Sequence, residues 1–489
     1  MKTWQKIIHD DLNVVAEGLD ELDRTRIHEE KLKQAVVGER YYDVEHDIKA
    51  TKIMYYDDHD NLVEDKYASN QTISHAYFTE LVDQKVQYLL ANGVKIDTQD
   101  ENLKELLEDY IDDDFQIFLN DMVEGSSIKG TEYAYARMSV NDRVKFEAAD
   151  AKNTFAVYND YFDEVAVVRK YSETIHHERK ETILTYAEVY TDETVSFFIK
   201  EDGRDYVPDQ SVTENPQSHI VGFDDSENTM IERDFGRIPF YRLDNNKKAS
   251  SDLSAVKDLI DDYDLMASTL SNNLQNFDRP FFVIRGYQGE SLDKIRKNIM
   301  AKGAVKVGAP NSQHAGVDIQ TYQIPYEARQ SKMETNREMI YKFGMGFDSS
   351  QPSGHNVTNI EIKARYTLLD LKCNKFEPRL RALVSWCLEL IFDDLERLGQ
   401  GRYEMSDVEI EIERNAIFNE KDHAETKLIE ERTTGQKINN ILDAATRLDD
   451  ETTLKELCDL FELDYEEVAS RIITQDYDSL AGADYGESE

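Results

Sequence analysis

Leu253, Val256, Ile260, Tyr263, Ala267, Leu270, Leu274 and Phe277 follow one another three and four residues apart without a break. This spacing holds one apolar seam on one side of a helix over more than three heptads. Ser250, Ser251 and Asp252 supply N-cap side chains, and Asp278-Arg279-Pro280 ends the run. The helix predicted over 250–278 is roughly 40 Å long. It is either an ordinary long core helix or a helix packed along a neighbour, within the chain or in a second subunit.

A bracketed insert comes after the seam. FFVIRG, a short helix near 291–302 and further strands and turns lead to Pro325. Within 279–306, Arg279, Arg285, Lys294, Arg296, Lys297, Lys302 and Lys306 face only Glu290 and Asp293. Chance clustering is the bland account of this basic island, and a contact surface the sharper one. A second helix over 326–343 carries Arg329, Lys332, Arg337 and Lys342 and brings the chain back. FGMGFDSSQPSGHNVTN reads as a loop by composition. A long helix from Thr358 to Leu398 comes next, with a bend expected at Glu377-Pro378. VEIEIER alternates as a strand, 416–472 reads as helical, and the tail past Arg471 has no Lys or Arg.

The N-terminal half has two textures. Residues 1–35 have the period of an amphipathic helical arm, and 36–72 are polar and irregular. Helices are expected over 73–92, with Lys85 inside its apolar stripe, and over 102–124, with Asp112, Asp113 and Asp114. Gly93 stands where a helix terminus needs a glycine. From Thr131 the period changes to two: TEYAYAR, KFEAAD, TFAVYND, VAVVRKY, ILTYAEVY and TVSFFIKEDG read as antiparallel strands and hairpins. Residues 203–230 read as a loop.

Charge narrows the function. Lys and Arg number 57 against 99 Asp and Glu, a net charge of −42. A protein that grips nucleic acid neutralises phosphates with a basic face, and the chain as a whole does the reverse. Acidity suits either a solvated surface or one that lies near DNA without sticking to it. Cys373, Cys387 and Cys458 have no metal-site spacing, so free thiols in a reducing compartment are expected. No apolar run has the length of a membrane span, so a soluble protein made in the cytoplasm, with no membrane contact, is expected.

No catalytic motif is present: GxxxxGK[ST], HExxH and GxSxG are all missing. His176-His177-Glu178 cannot turn three adjacent side chains to one metal. Asp112–Asp114 and Asp261, Asp262 and Asp264 suggest Mg²⁺ on paper, but successive helical residues diverge, and solvated faces are expected. Gly344 and Gly346 do not open a dinucleotide fold. No enzyme, cofactor or metal is expected.

Six blocks carry a resemblance: YYDVEHDI (41–48), LVDQKVQYLLANG (81–93), DDDFQIFLNDMVEGSSIKGTEYAYA (112–136), FGRIPFYRLDNN (235–246), SDLSAVKDLIDDYDLMASTLSNNLQNF (251–277) and VIRGYQG (283–289). In order and spacing across roughly 40–415 the chain resembles portal proteins of the long-tailed phages of Gram-positive bacteria. It departs at ANGVKI, where that family usually has a GKP-type turn, and in its final 70 or so residues.

The resemblance implies an α+β, mainly helical portal fold with wing, helical stem, small α/β clip and helical crown, assembling as a ring. Residues 1–249 would form the wing, 250–278 and 326–343 the stem, 279–325 the clip and 344–357 a tunnel loop. Residues 358–415 would return to the wing and crown, and 416–489 would form the crown and acidic tail. The ring would hold twelve copies, or thirteen in isolation, at the portal vertex of the virion after assembly in the host cytoplasm. Partners would be double-stranded DNA, terminase, head-completion or adaptor proteins, and major capsid and scaffolding proteins. Ser349, Ser350, Ser353, His355 and Asn356 would line the tunnel loop. Arg329, Lys332, Arg337 and Lys342 would face the channel, and Arg285, Lys294, Arg296 and Lys297 would meet a partner at the clip. Leu253, Val256, Ile260, Tyr263, Leu270, Leu274 and Phe277 would pack the stem. Two other readings remain: a non-viral acidic oligomeric scaffold with a helical hairpin, and a metal-dependent nuclease using the Asp runs.

Overall fold

The computed structural model describes residues 1–414 apart from 27–28, 58, 67, 140, 178–179, 225–228, 278–280, 286–293, 295–296, 303, 308–316, 321–324 and 349–358. Beyond 414 it describes only Thr452, Leu454, Lys455 and Cys458. The chain divides into two compact units, Met1–Asn415 and Ala416–Glu489. The helical reading of 416–472 therefore lies almost wholly outside the described residues; Cys458 there is buried.

The expected N-terminal arm is three helices, α1 (Thr3–Ile7), α2 (Leu12–Arg26) and α3 (Glu30–Tyr42). The supposedly irregular stretch after it holds a 3-10 turn at Asp47–Ala50 and a hairpin of β1 (Met54–Tyr56) and β2 (Leu62–Glu64). Helix α4 (Tyr77–Leu90) ends at Gly93, whose φ of 69° is the left-handed conformation expected there. Strand β3 (Val94–Asp97) is next. The single helix expected over 102–124 is two, α5 (Glu101–Glu108) and α6 (Asp113–Lys129). Asp112 makes the break: its side chain accepts from Phe115 N and caps α6.

The period-two region folds as read. Strands β4 (Thr131–Met138) and β5 (Val144–Ala149) pair antiparallel. Strands β6 (Thr154–Tyr158), β7 (Glu164–His177), β8 (Lys180–Tyr190) and β9 (Thr194–Glu201) form a meander. The segment read as a loop contains four short strands instead: β10 (Val207–Pro208), β11 (Gln217–Ser218), β12 (Ile220–Asp224) and β13 (Thr229–Arg233). β10 and β11 extend the meander to six strands, and β12 pairs with β13. Strand β14 (Phe240–Asp244) then returns to β4.

Alternation gives the meander two apolar faces. One, through Ala166, Val168, Ala187, Val189 and Phe198, packs on Ile7, Val15 and Leu19 of α1 and α2. The other, through Val167, Tyr190 and Val195, packs on Tyr133 and Phe240 of the β4–β14 sheet.

After a 3-10 turn capped by Ser251, helix α7 (Lys257–Phe277) begins. The insert has β15 (Phe281–Arg285), a π-helical turn at Asn298–Lys302, β16 (Ala304–Val307) and β17 (Val317–Gln320); β15 is central, parallel to β16 and antiparallel to β17. Helix α8 (Tyr326–Gly344) returns, and α9 (Asn359–Arg397) runs through Pro378 without interruption. Strand β18 (Glu409–Ile412) pairs with β3. The main core joins α3 to α9 with β4, β5 and β14; Phe78, Leu119, Ile260, Ile340, Leu383 and Ile391 are among its fully buried side chains.

Gly344 and Gly346 serve packing. A Cβ on either would overlap the side chain of Leu81 on α4, so the end of α8 lies directly against that helix. Gly346→Ala is expected to cost about 1–3 kcal/mol in urea unfolding, and to cost less when introduced into a Leu81→Ala background, as a double-mutant cycle would show. Equal stability of Gly346→Ala and wild type would show that the approach is not tight.

Candidate functional site: the stem helix and its polar ladder

Helix α7 uses its two halves differently. Leu253 and Val256, just before it, and Ile260 on its first turn are sealed in the chain's own core. Tyr263 and Leu270 are partly buried, whereas Leu274 is 49% exposed and Leu265 43% exposed. The side chain of Phe277 lies outside the described residues. The seam thus begins as core and ends as surface.

Beside the seam runs a second, polar pattern. Asp264, Ser268, Asn272 and Asn276 stand four apart and turn toward residues 69–75, which lie extended along the helix. Asp264 Oδ1 accepts from His75 N at 3.1 Å, Ser268 Oγ from Ile73 N at 2.9 Å, Asn272 Oδ1 from Gln71 N at 2.6 Å and Asn276 Oδ1 from Ser69 N at 3.0 Å. Asn272 Nδ2 donates back to Gln71 O at 3.1 Å. The geometry arises from two repeats. Four helical residues rise about 6 Å and two extended residues about 6.6 Å, so every second amide meets every fourth side chain.

Asp264 anchors the ladder. It is fully buried and also accepts from His46 Nδ1 at 2.5 Å and His75 Nδ1 at 2.7 Å. His46 Nε2 points to the carbonyl of Tyr41 at 3.2 Å, and the Tyr41 ring stacks on it at 4.4 Å. His46 thus bridges the buried carboxylate and the backbone of α3. One helical turn away, Asp261 accepts from Tyr41 Oη and Lys257. Burial, with the Asp261 carboxylate second, pushes the Tyr41 phenol well above its ordinary value.

A second buried charge sits where α4, α6 and the start of the stem meet. Lys85 is 1% exposed and donates to Ser127 Oγ at 2.8 Å and Asn245 Oδ1 at 2.6 Å, with Asp252 Oδ2 at 3.4 Å. Lys372 of α9 reaches the same Asp252 oxygen at 2.9 Å. Burial lowers the Lys85 pKa. Burial alone would raise Asp252, but Lys372 and Lys85 outweigh it and hold the carboxyl far below its ordinary range.

The expected solvated faces hold at Asp113 and Asp114, which are exposed, and fail at Asp264. Asp264 is buried, Asp112 caps α6, and Asp262 accepts from Asn336 Nδ2 at 2.7 Å with Lys332 Nζ at 3.0 Å. Among the described residues no group of His, Cys, Asp and Glu could hold a metal ion. His176 is exposed near the β7–β8 turn, 3.5 Å from Glu181.

The contacts Asp262–Asn336 and Asn273–Arg329 set α7 and α8 antiparallel, the Asn273 amide oxygen lying 2.9 Å and 3.0 Å from the guanidinium nitrogens. Of the basic residues on α8, Arg329 and Lys332 thus meet α7, Arg337 Nε lies 3.3 Å from Asp348, and Lys342 is exposed. Lys294 and Lys297 are exposed; Arg296 and the side chain of Arg285 lie outside the described residues. So do Ser349, Ser350, Ser353, His355 and Asn356.

The fold and this site define a class: a mixed helix-and-strand protein in which a long antiparallel helix pair brackets a small three-stranded insert. A family model described as "Phage portal protein, SPP1 Gp6-like" matches residues 24–452. The portal protein of Bacillus phage SPP1 is 30% identical over 403 residues, 81% of this chain and 77% of that protein. The portal protein of Clostridium phage phiCD119 is 22% identical over 374 residues, 73% of this chain and 78% of that protein. A solved chain described as "Neck of native GTA particle computed with C12 symmetry" is 12% identical and covers 81% of this chain and 96% of its own length, at a TM-score of 0.36. The chain belongs to the phage portal protein family, SPP1 Gp6-like.

Removing the anchor should cost much more than removing a rung. Asp264→Ala, which leaves His46, His75 and the His75 amide without their shared partner, is expected to lose about 3–5 kcal/mol, and Asn272→Ala about 1 kcal/mol per hydrogen bond lost. Chemical denaturation measures both; losses below about 0.5 kcal/mol for both would mean that the ladder does not hold the segment.

Proposed function

We propose that this chain is one subunit of a portal ring, the connector through which double-stranded DNA enters and leaves a phage head. Family membership supports the connector role. The observation that carries the ring is the stem: Leu265 and Leu274 of α7, and Tyr326 and Phe343 of α8, remain exposed on a helix pair otherwise fixed to its own core. A neighbouring stem is what would cover them.

In this reading residues 1–249 are wing, 250–278 and 326–343 stem, 279–325 clip, 344–357 tunnel loop, 358–415 the helix and strand returning to wing and crown, and 416–489 crown and tail. The ring has twelve copies, with thirteen an alternative in isolation, and stands at the portal vertex of the virion. Terminase supplies the energy of packaging, adaptor proteins close the head afterwards, and capsid and scaffolding proteins receive the ring during assembly. The chain's own part is guidance and gating. Twelve copies carry a formal charge of about −500, which repels a duplex rather than trapping it. Ser349, Ser350, Ser353, His355 and Asn356 would touch phosphates weakly and without sequence preference. Arg285, Lys294, Arg296 and Lys297 would meet an acidic partner or passing phosphates at the clip.

Negative-stain electron microscopy with a parallel mass measurement is the test. Rings with an axial hole wide enough for a duplex are expected; a compact oligomer without a channel would favour an acidic scaffold. Deleting 349–356 is expected to leave rings intact and to impair DNA packaging or retention, and normal filling of heads would remove the loop from the channel mechanism. Charge reversal at Lys294, Arg296 and Lys297 is expected to weaken packaging or adaptor binding; if both are unchanged, the basic island has no contact role.

A further inference from the structure

Among the exposed apolar side chains of the meander are two groups, one at the turn before β7 and one across the middle of β7. The first is the tip joining β6 to β7, where Tyr161 is 85% and Phe162 87% exposed. It is a built tip. Asn159 Oδ1 accepts from Tyr161 N at 2.8 Å and Asp163 N at 2.9 Å, and Phe162 is held at a φ of 67°. That left-handed conformation is uncommon outside glycine and costs free energy. The turn therefore displays two aromatic rings to solvent at a cost, where polar residues would serve a plain hairpin better.

The second feature is a row across four strands. Register pairs Tyr171 with Tyr186, Tyr186 with Ile199 and Ile199 with Val207, so all four project from one face. The helices α1 and α2 cover the opposite face, and the β4–β14 sheet covers this face only at its base. Tyr171 and Tyr186 stack at 5.1 Å, and Tyr171 and Val207 are exposed.

We propose that the Tyr161–Phe162 tip of one copy seats on the Tyr171–Tyr186–Ile199–Val207 row of the next copy, a head-to-tail contact between neighbouring wings. The inference rests on the ring reading above and adds to it which surfaces meet. Three observations favour a second copy as the occupant. Phe162 and Tyr171 are nine residues apart in sequence, with about 25–30 Å of extended β7 between them, so tip and row cannot meet within one copy. Two unlike patches held apart on one sheet are what a heterologous ring contact needs, because each copy gives one and receives one. Three rim acids and their partners are paired within the chain, which lessens like-charge repulsion. Asp160 pairs with Lys2 at 2.6 Å, Glu201 with Arg204 at 2.7 Å, and Arg169 lies 3.7 Å from Glu188.

The test uses the full chain. Phe162 is replaced by the photoreactive p-benzoylphenylalanine, ¹⁴N- and ¹⁵N-labelled copies are mixed, and rings are irradiated and mapped by mass spectrometry. Mixed-isotope crosslinks from residue 162 into 169–209 are expected. Rings whose crosslinks fall elsewhere, or only within one copy, overturn this contact and leave the ring reading standing. A wild-type protein that forms no ring overturns both. In parallel, Tyr161→Ser with Phe162→Ser removes only exposed side chains. It is expected to raise the concentration needed for half-assembly at least about tenfold, as loss of an aromatic anchor does, with an unchanged unfolding midpoint. Unchanged assembly would overturn the proposal.

Discussion

The match between four residues of helix and two of extended chain is the constraint on which the stem depends. A helix satisfies its own backbone; an extended segment without a sheet does not, and its buried amides need acceptors. Asp264, Ser268, Asn272 and Asn276 supply them at the right pitch. The start of the seam lies in the core, and residues 69–75 run alongside α7 from Asp264 to Asn276. Only the farther part of the seam and the outer side remain for a neighbour.

Buried charges fix the same region where apolar packing alone would allow sliding. Apolar seams tolerate shifts in register, but a carboxylate taken out of water must keep its partners. Asp264 with His46 and His75 ties the N-terminal helices to α7, and Asp252 with Lys85 and Lys372 ties α4 and α9 to the turn that starts it. Asp252 titrates well below its ordinary value, so it favours the fold above that value and ceases to do so as pH falls through the lowered one. Both anchors lie away from the insert, which leaves the insert end of the helix pair free of comparable ties among the described residues.

The seam of α7, the return helix α8 and the period-two strands were legible because their patterns are set by one element's own geometry. The break between α5 and α6 was also written, in the Asp112-Asp113-Asp114-Phe115 cap, but an acidic run on a helix is as easily read as a solvated face. Lys85 stood in an apolar stripe, and only the tertiary structure shows that Ser127, Asn245 and Asp252 meet it there. The ladder had a signal, four polar residues spaced by four, yet its other half, ASNQTISHA, was divided in the sequence between the irregular stretch 36–72 and the helix expected over 73–92. A pattern shared between two distant segments cannot be found in either alone. The tunnel-loop residues and much of the clip were named from resemblance, and they lie outside the described residues.

The charges of the helix pair bear on how a duplex would pass it. A channel that grips DNA needs uncompensated cations, because affinity comes from counterion release at each phosphate neutralised. On α8 that supply is reduced from within: Lys332 is paired with Asp262, and Arg337 lies beside Asp348. The carboxylates of α7 that looked like metal ligands in sequence are instead spent on the chain's own lysine, asparagine, tyrosine and histidines. A helix pair built this way carries fewer uncompensated cations than its sequence suggests. In the proposed portal reading, that would suit a surface past which a polyanion slides rather than one that grips it.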